Sequence, residues 1–147
     1  MNDTFETDIK PVLNMFKELS YKEQIKTYKS ALRKSSNVIA KEAKKNLKSS
    51  LGKSASHNGK YGRMNKGIKV RVAKSGKSSK IHIMGDFRLK WFEMGTKERI
   101  RKKGGSTGKI SPLYFFKKAN DSKKKEAENL LIKNLEEAII KINNKHK

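Results

Sequence analysis

The sequence contains no cysteine and no long apolar run, and each absence excludes a class of protein. Without cysteine the chain forms no disulfide and offers no thiolate to a metal. No apolar run approaches the roughly 20 residues that a helix needs to cross a bilayer. The stretch from Met1 to Asp8 carries acids instead of the basic and apolar regions of a signal peptide. We therefore expect no membrane partner and synthesis in the cytoplasm.

Acidic residues are missing from the middle of the chain, where none occurs between Glu42 and Asp86. Over the whole sequence 37 Lys and Arg outnumber 14 Asp and Glu, which gives a formal net charge of +23 at pH 7. Such a surface attracts polyanions through its long-range field and through the release of condensed counterions. Nucleic acid is the obvious partner, although composition does not separate a DNA-binding protein from one that lies beside DNA.

Catalytic and metal-binding patterns are absent as well. The three histidines, His57, His82 and His146, have no second histidine or acid at ligand spacing. The sequence has no cluster of carboxylates such as hydrolases and nucleases use. The segment Gly104–Lys109 is one residue too short for a Walker motif, and Ile110 follows the lysine where Ser or Thr is required. We therefore predict no catalytic residue, metal or cofactor, and we do not expect an enzyme.

The length of 147 residues fits a single domain over residues 1–147. Within residues 1–19, apolar side chains follow one another at helical spacing, which predicts a short docking helix. Ser20 and Glu23 have the spacing of a capping box. The apolar positions after them predict a long helix that ends near Ser49–Gly52.

The second half of the chain contains strand patterns followed by another helix. Residues 68–72 and 80–84 alternate apolar and polar side chains across a short glycine-containing turn, which predicts an antiparallel hairpin. Residues 89–94 form a short apolar element that we expect to extend the small sheet. Ser111 and Pro112 predict the cap and first position of a helix that continues to about residue 143. The two long helices would cover the sheet in an α+β fold.

Two glycine-rich basic segments, residues 52–67 and 97–109, are predicted to be flexible loops. Basic residues beside aromatic ones are suited to nucleic acid, because bases stack on the rings. Tyr61, alone in a polar loop, is open to such a role, whereas Trp91 has apolar neighbours and is expected in the core. The candidate contacts to DNA or to another subunit are the loop cations Lys60, Arg63, Lys97, Arg99, Arg101, Lys102, Lys103 and Lys109.

Two motifs between residues 89 and 119 resemble those of phage tail-completion proteins, which join head and tail in long-tailed phages. The first is an aromatic-rich stretch that ends in Glu-x-Gly-Thr, and the second is a Pro-aromatic motif followed by Ala119. The order of elements over residues 5–143, a lysine-rich helix, a basic loop and a hairpin before the motifs, is also similar. The motif residues are Glu93, Gly95, Thr96, Pro112, Phe115 and Phe116.

The resemblance implies a virion structural protein of the neck or tail, located between the phage connector and the tail tube. It implies a homo-oligomer, typically a hexameric ring around the channel through which DNA passes. Residues 97–109, together with 52–67, would then face DNA or acidic neighbours. Glu93 would accept hydrogen bonds at the turn that Gly95 allows, or bind a basic residue of a neighbouring subunit. Phe115 and Phe116 would pack the last helix against the hairpin.

Two other functions stay open at this point. The first is a small basic nucleic-acid-binding protein, which the net charge favours, although no helix-turn-helix, RNA-binding signature or zinc finger is found. Such a protein would bind duplex DNA with a steep dependence on salt. The second is a toxin or nuclease from a mobile element, which the missing acid and histidine clusters disfavour.

Overall fold

The computed structural model describes Asn14, Phe16, Lys17 and residues 19–145. Its elements, in chain order, are α1 (Tyr21–Leu51), β1 (Lys69–Val72), β2 (Ser79–His82), α2 (Arg88–Met94) and α3 (Phe115–Lys145). The two long helices have 31 residues each, and β1 and β2 form a two-stranded antiparallel sheet. The predicted α+β fold class is confirmed.

Helix α1 begins and ends where its sequence predicts. The Ser20 hydroxyl accepts a hydrogen bond from the Glu23 backbone N–H at 3.4 Å, and the Glu23 carboxylate accepts one from the Ser20 N–H at 3.2 Å. This capping box satisfies donors that the first turn of a helix otherwise leaves unpaired. At the other end, Gly52 adopts a φ of 57° and its N–H donates to the Lys48 carbonyl, which ends the helix.

Helices α1 and α3 lie antiparallel. Near the end of α1, the Asn46 side chain donates to the carbonyl of Phe115, the first residue of α3, at 3.1 Å. Just before α1 begins, Phe16 and Leu19 pack against Ile139 near the end of α3. The buried face of α1 consists mainly of small side chains, which let another backbone approach closely: Thr27, Ala31, Ser35, Ser36, Ile39, Ala40, Ala43 and Leu47.

The main core lies at the end of this helix pair where α1 finishes and α3 begins. Its largest fully buried side chains include Leu47, Ile68, Leu89 and Phe115. The predicted hairpin is confirmed: β1 pairs with β2 from Lys69 opposite His82 to Val72 opposite Ser79. The Ser36 and Ser79 hydroxyl oxygens are 2.6 Å apart, which fixes β2 against α1.

The short apolar element after the hairpin is helical, so its predicted place in the sheet is wrong. Leu89 is fully buried and Phe92 is partly buried against the core, and their spacing of three residues places both on one side of a helix. The backbone N–H of Arg88 donates to the Asp86 carboxylate at 3.0 Å, which satisfies one free donor of the first turn. Within the described residues the sheet therefore has two strands.

The predicted start of the last helix is also wrong. Ser111 and Pro112 precede α3, which begins at Phe115. The segment around them pairs instead with the end of α2, where the Leu113 N–H donates to the Phe92 carbonyl at 2.8 Å. Because that pairing holds the backbone outside the helix, Pro112 does not take the first helical position.

The first basic segment, residues 52–67, differs from the predicted loop. It contains two short 3-10 helices, Gly52–Ala55 and Met64–Gly67. Ala55, Met64 and Gly67 are buried. Single apolar residues in an irregular stretch show no periodicity, which is why the sequence pattern did not reveal this packing.

The predicted docking helix over residues 1–19 lies largely outside the described residues. Of its apolar positions, Phe16 and Leu19 are described, and both are buried against α3. Among the residues that the structure describes, no helix combines the length and the apolar character needed to span a membrane.

Candidate nucleic-acid and partner interface

The two motifs that carry the resemblance form a single junction. The Glu93 carboxylate accepts hydrogen bonds from the backbone N–H groups of Phe116 and Lys117, at 2.9 and 3.0 Å. These donors belong to the first turn of α3, where unpaired N–H groups and the helix dipole favour a negative charge. Glu93 is buried, and it serves as a cap for a helix that starts 22 residues later. Both hydrogen bonds that the Glu93 carboxylate accepts here come from the start of α3 in the same chain, not from the turn at Gly95.

Gly95 and Thr96 complete this junction. Gly95 has a φ of 75°, and a Cβ on it would lie 2.8 Å from the Ile110 carbonyl oxygen and 2.9 Å from Pro112 Cδ. The Thr96 N–H donates to the Ile110 carbonyl, and the Ile110 N–H donates to the Thr96 hydroxyl, both at 2.9 Å. Phe115 is almost completely buried beside this contact, and Phe116 is partly buried. The position after Met94 therefore requires glycine for both its conformation and its space.

Residues 97–109 leave the junction and return to it as an exposed hairpin-like loop, here termed the basic arm. Paired backbone groups hold its two sides together, with Thr107 N–H donating to the Arg99 carbonyl at 2.7 Å and an isolated bridge between Ile100 and Ser106. Every residue of the arm is exposed, including Ile100 at 77%. The arm carries one acid, Glu98, and six cations: Lys97, Arg99, Arg101, Lys102, Lys103 and Lys109.

Segment 52–67 is held against the start of α2 by Arg88, whose guanidinium is oriented by a partly buried ion pair with Asp86. The Arg88 guanidinium donates to both oxygens of Asp86, at 2.9 and 2.6 Å, and to the Gly62 carbonyl at 2.9 Å. The hydrogen bond from Arg88 lowers the pKa of the Asp86 carboxyl below its usual value. Asp86 also lies against Gly67, where an added Cβ would come within 2.6 Å of Asp86 Cβ. The hydrogen bond from Arg88 to the Gly62 carbonyl, supported by this ion pair, therefore joins the segment to α2.

An open cleft of about 540 Å³ lies beside this ion pair. Four cations from α1, the second 3-10 region and β1 line this cleft: Lys44, Arg63, Lys66 and Lys69. The cleft is here termed the cation cleft. Asp86 is the one acid among the lining residues, and its charge is already paired with Arg88. The cleft therefore presents a net positive surface suited to phosphate groups.

A row of three partly exposed aromatic side chains, Tyr61, Phe87 and Trp91, adjoins the cleft. Their ring centroids are separated by 5.4 Å between Tyr61 and Phe87, and by 5.2 Å between Phe87 and Trp91, in edge-to-face contacts. The exposed fractions are 58%, 47% and 38%, respectively. The predicted core position of Trp91 is wrong, because Leu89 and Phe92 occupy the inner side of α2 and leave Trp91 outside.

Cations lie over the rings at both ends of this aromatic row. Lys60 Nζ is 5.5 Å and the Arg88 guanidinium carbon 5.6 Å from the Tyr61 centroid. The Arg99 guanidinium carbon is 5.8 Å from the Trp91 centroid. Such separations are within the range of cation–π attraction. Arg99 belongs to the basic arm, so the row lies between the arm and the cation cleft.

The structure divides the predicted loop cations into two groups. Lys60 and Arg63 lie around Tyr61 and the cleft, and the six arm cations form a separate exposed group that approaches the first through Arg99. Sequence reasoning missed Phe87, Lys44 and Lys69. The spacing of four residues between Phe87 and Trp91 is a signal for a shared helix face, whereas the cleft lysines come from elements far apart in the chain.

No group of three or more His, Asp or Glu residues lies close enough to hold a metal ion within the part of the chain that the structure describes. The cations and aromatic rings described above form an arm, a row and a cleft. Comparisons of this chain with protein-family models, curated proteins and solved structures found no match.

Proposed function

We propose that the protein is a virion structural component that joins the head connector to the tail of a long-tailed phage, as a ring around the DNA channel. The observation that carries this proposal is the basic arm, which is fully exposed yet held at its base by the two motifs of the resemblance. Glu93 caps α3, and the Thr96–Ile110 pair closes the arm at its base. A structural protein needs such a segment, fixed in position but available to a partner.

The charge of the arm favours DNA or an acidic neighbour as that partner. Six cations and one acid within residues 97–109 would neutralise several phosphates if the arms of a ring faced the channel. Copies that each carry +23 repel one another at low salt. Assembly would therefore be favoured on a template that supplies negative charge, such as the connector or the DNA.

The first experiment is negative-stain microscopy of lysates from the parent phage or prophage with this gene deleted. DNA-filled heads lying beside separate, complete tails are the expected result. Normal joined particles would contradict the joining role and would leave nucleic-acid binding as the working function.

Complementation of the deletion then tests the arm. A variant in which Arg99, Arg101, Lys102 and Lys103 are replaced by alanine should fold but restore joined particles poorly, because all four side chains are exposed. The matched control replaces four exposed lysines on the long helices, Lys22, Lys41, Lys124 and Lys141, and removes the same charge. Equal rescue by the two variants would exclude a specific role of the arm.

A further inference from the structure

The aromatic row and the cation cleft form one continuous surface, because Tyr61 belongs to both. Its ring is the first member of the row, and the same residue lines the cleft with Arg63, Lys66 and Lys69. The surface thus places exposed rings next to closely spaced positive charges. The single acid of the cleft, Asp86, is buried and bonded to Arg88, so it does not repel an anionic ligand.

We infer that this surface binds single-stranded nucleic acid, with unpaired bases on the row of Tyr61, Phe87 and Trp91 and the phosphate backbone in the cation cleft. Proteins that bind single strands without sequence preference combine a positive groove with aromatic stacking platforms. This surface adjoins the basic arm at Arg99, whose guanidinium lies over Trp91, and the inference does not depend on the joining role. A protein that fails to join heads to tails would still bind a single strand here.

The exposed rings favour a single strand over a duplex. Duplex DNA offers phosphates to the cations, but its base faces are stacked on one another and give the rings no partner. Three adjacent aromatic side chains that are 38–58% exposed form an apolar patch, and such a patch marks an interaction site. Lys60, now over the Tyr61 ring, would exchange that contact for phosphate oxygens, while Arg88 stays bonded to Asp86.

Charge also disfavours a second copy of the chain as the occupant. Another copy would bring a net charge of +23 to a surface that is already basic. Like charges brought together at an interface oppose association. A single strand of nucleic acid supplies bases that cover the exposed rings and the negative charge that this basic surface lacks.

Trp91 makes the inference directly measurable, since it is the one tryptophan in the sequence. An oligothymidylate of about 12 nucleotides is titrated into the full-length protein while tryptophan emission is recorded. Stacking beside Trp91 should quench its emission at saturation, and a blunt duplex with the same number of phosphates should bind with little quenching. Binding of the single strand without any change in emission would overturn the inference.

Ring removal separates stacking from charge. Tyr61→Ala and Phe87→Ala should each weaken binding of the single strand by at least about fivefold, since a stacked base contributes on the order of 1 kcal/mol or more. Tyr61→Phe keeps the ring and should bind like the unaltered protein. The control is Tyr21→Ala, which removes a tyrosine that is 71% exposed at the opposite end of α1. Equal affinities for Tyr61→Ala and Tyr21→Ala would contradict a stacking role.

Two further readouts test the cleft and exclude self-association. Lys66→Ala should reduce the slope of log K against log salt by about one, as expected when one phosphate contact is lost. An unchanged slope would place the phosphates elsewhere. Without nucleic acid, sedimentation equilibrium measures self-association and fluorescence measures Trp91 emission over the same range of protein concentration. The emission should stay constant over that range. A concentration-dependent change in that emission would instead make the row an interface between copies.

Discussion

Segment 52–67 and the basic arm, residues 97–109, have similar compositions but different structures. Both are rich in glycine and lysine, and the sequence predicts a flexible loop for each. In the structure, segment 52–67 contributes Ala55, Met64 and Gly67 to the interior, whereas every residue of the arm is exposed. The two structures differ because segment 52–67 has a few small or apolar residues that pack against neighbouring elements, whereas the residues of the arm stay exposed.

The two segments also differ in how they are held. Segment 52–67 is held by burial and by the Arg88 hydrogen bonds to its backbone. The arm is held at its base, by the Thr96–Ile110 pair and by backbone bonds between its own two sides. A packed segment loses stability when its buried groups are changed, whereas an exposed arm tolerates changes to its exposed side chains. Paired substitutions can test this contrast.

The largest effect is expected from Met64→Ala. Met64 is 5% exposed in the core, and removal of a buried methionine side chain typically lowers the free energy of unfolding by about 2–5 kcal/mol. Ile100→Ala in the arm removes a side chain that is 77% exposed and should change the free energy of unfolding by less than about 0.5 kcal/mol. Urea unfolding of both variants gives the comparison, and similar losses would show that the arm packs as tightly as segment 52–67.

A smaller loss is expected from Gly67→Ala. The new Cβ would meet Asp86 Cβ at 2.6 Å, the Asp86 backbone nitrogen at 2.7 Å and Leu89 Cδ1 at 2.8 Å. Two of these are atoms that cannot move without the backbone, and overpacking of this kind costs about 1–3 kcal/mol. Gly104→Ala is the arm control: nothing lies within 4 Å of its Cβ, and its φ of 79° is the main source of strain. A lower unfolding midpoint for Gly104→Ala than for Gly67→Ala would contradict the overpacking expected at Gly67.

A loss of about 1–2 kcal/mol is expected from Glu93→Gln, because the neutral amide keeps one acceptor oxygen and loses the attraction to the helix dipole. Both N–H groups that Glu93 now accepts from are in the first turn of α3. Glu98→Gln, an exposed carboxylate in the arm, should leave the free energy of unfolding nearly unchanged. Equal denaturation curves for the two variants would remove Glu93 as the cap.

The sequence predicted the elements whose signals are local. The Ser20–Glu23 box and the alternation in the hairpin each depend on residues a few positions apart, and both predictions are confirmed. The Ser111–Pro112 start was wrong although its local signal was good. Pairing with α2 holds that backbone outside the helix, and Glu93 supplies the cap from 23 residues away. Local propensity is overridden where tertiary contacts use the same backbone groups.

The candidate surface was only partly predictable for the same reason. Tyr61, Lys60 and Arg63 are neighbours in sequence, so their grouping was visible. The cation cleft also takes Lys44 from α1 and Lys69 from β1, which only the folded chain brings together. Trp91 was expected in the core because its neighbours are apolar, but a short helix at the surface has an outer side, and Trp91 lies on it.

The smallest effect is expected from pH, through the Asp86–Arg88 ion pair that orients the Arg88 hydrogen bond to segment 52–67. The hydrogen bond from Arg88 lowers the pKa of Asp86 below its usual value of 3.8. A carboxyl whose pKa is lower in the folded state stabilises the fold fully above its unfolded pKa, and this contribution is lost as the pH falls through the folded value. From pH 5 to pH 3 the unaltered protein should therefore lose more unfolding free energy than Asp86→Asn, which cannot titrate. Urea unfolding of both proteins at the two pH values measures this difference. If both proteins lose the same unfolding free energy between the two pH values, charged and neutral Asp86 stabilise the fold equally. Burial alone would then hold segment 52–67 in place.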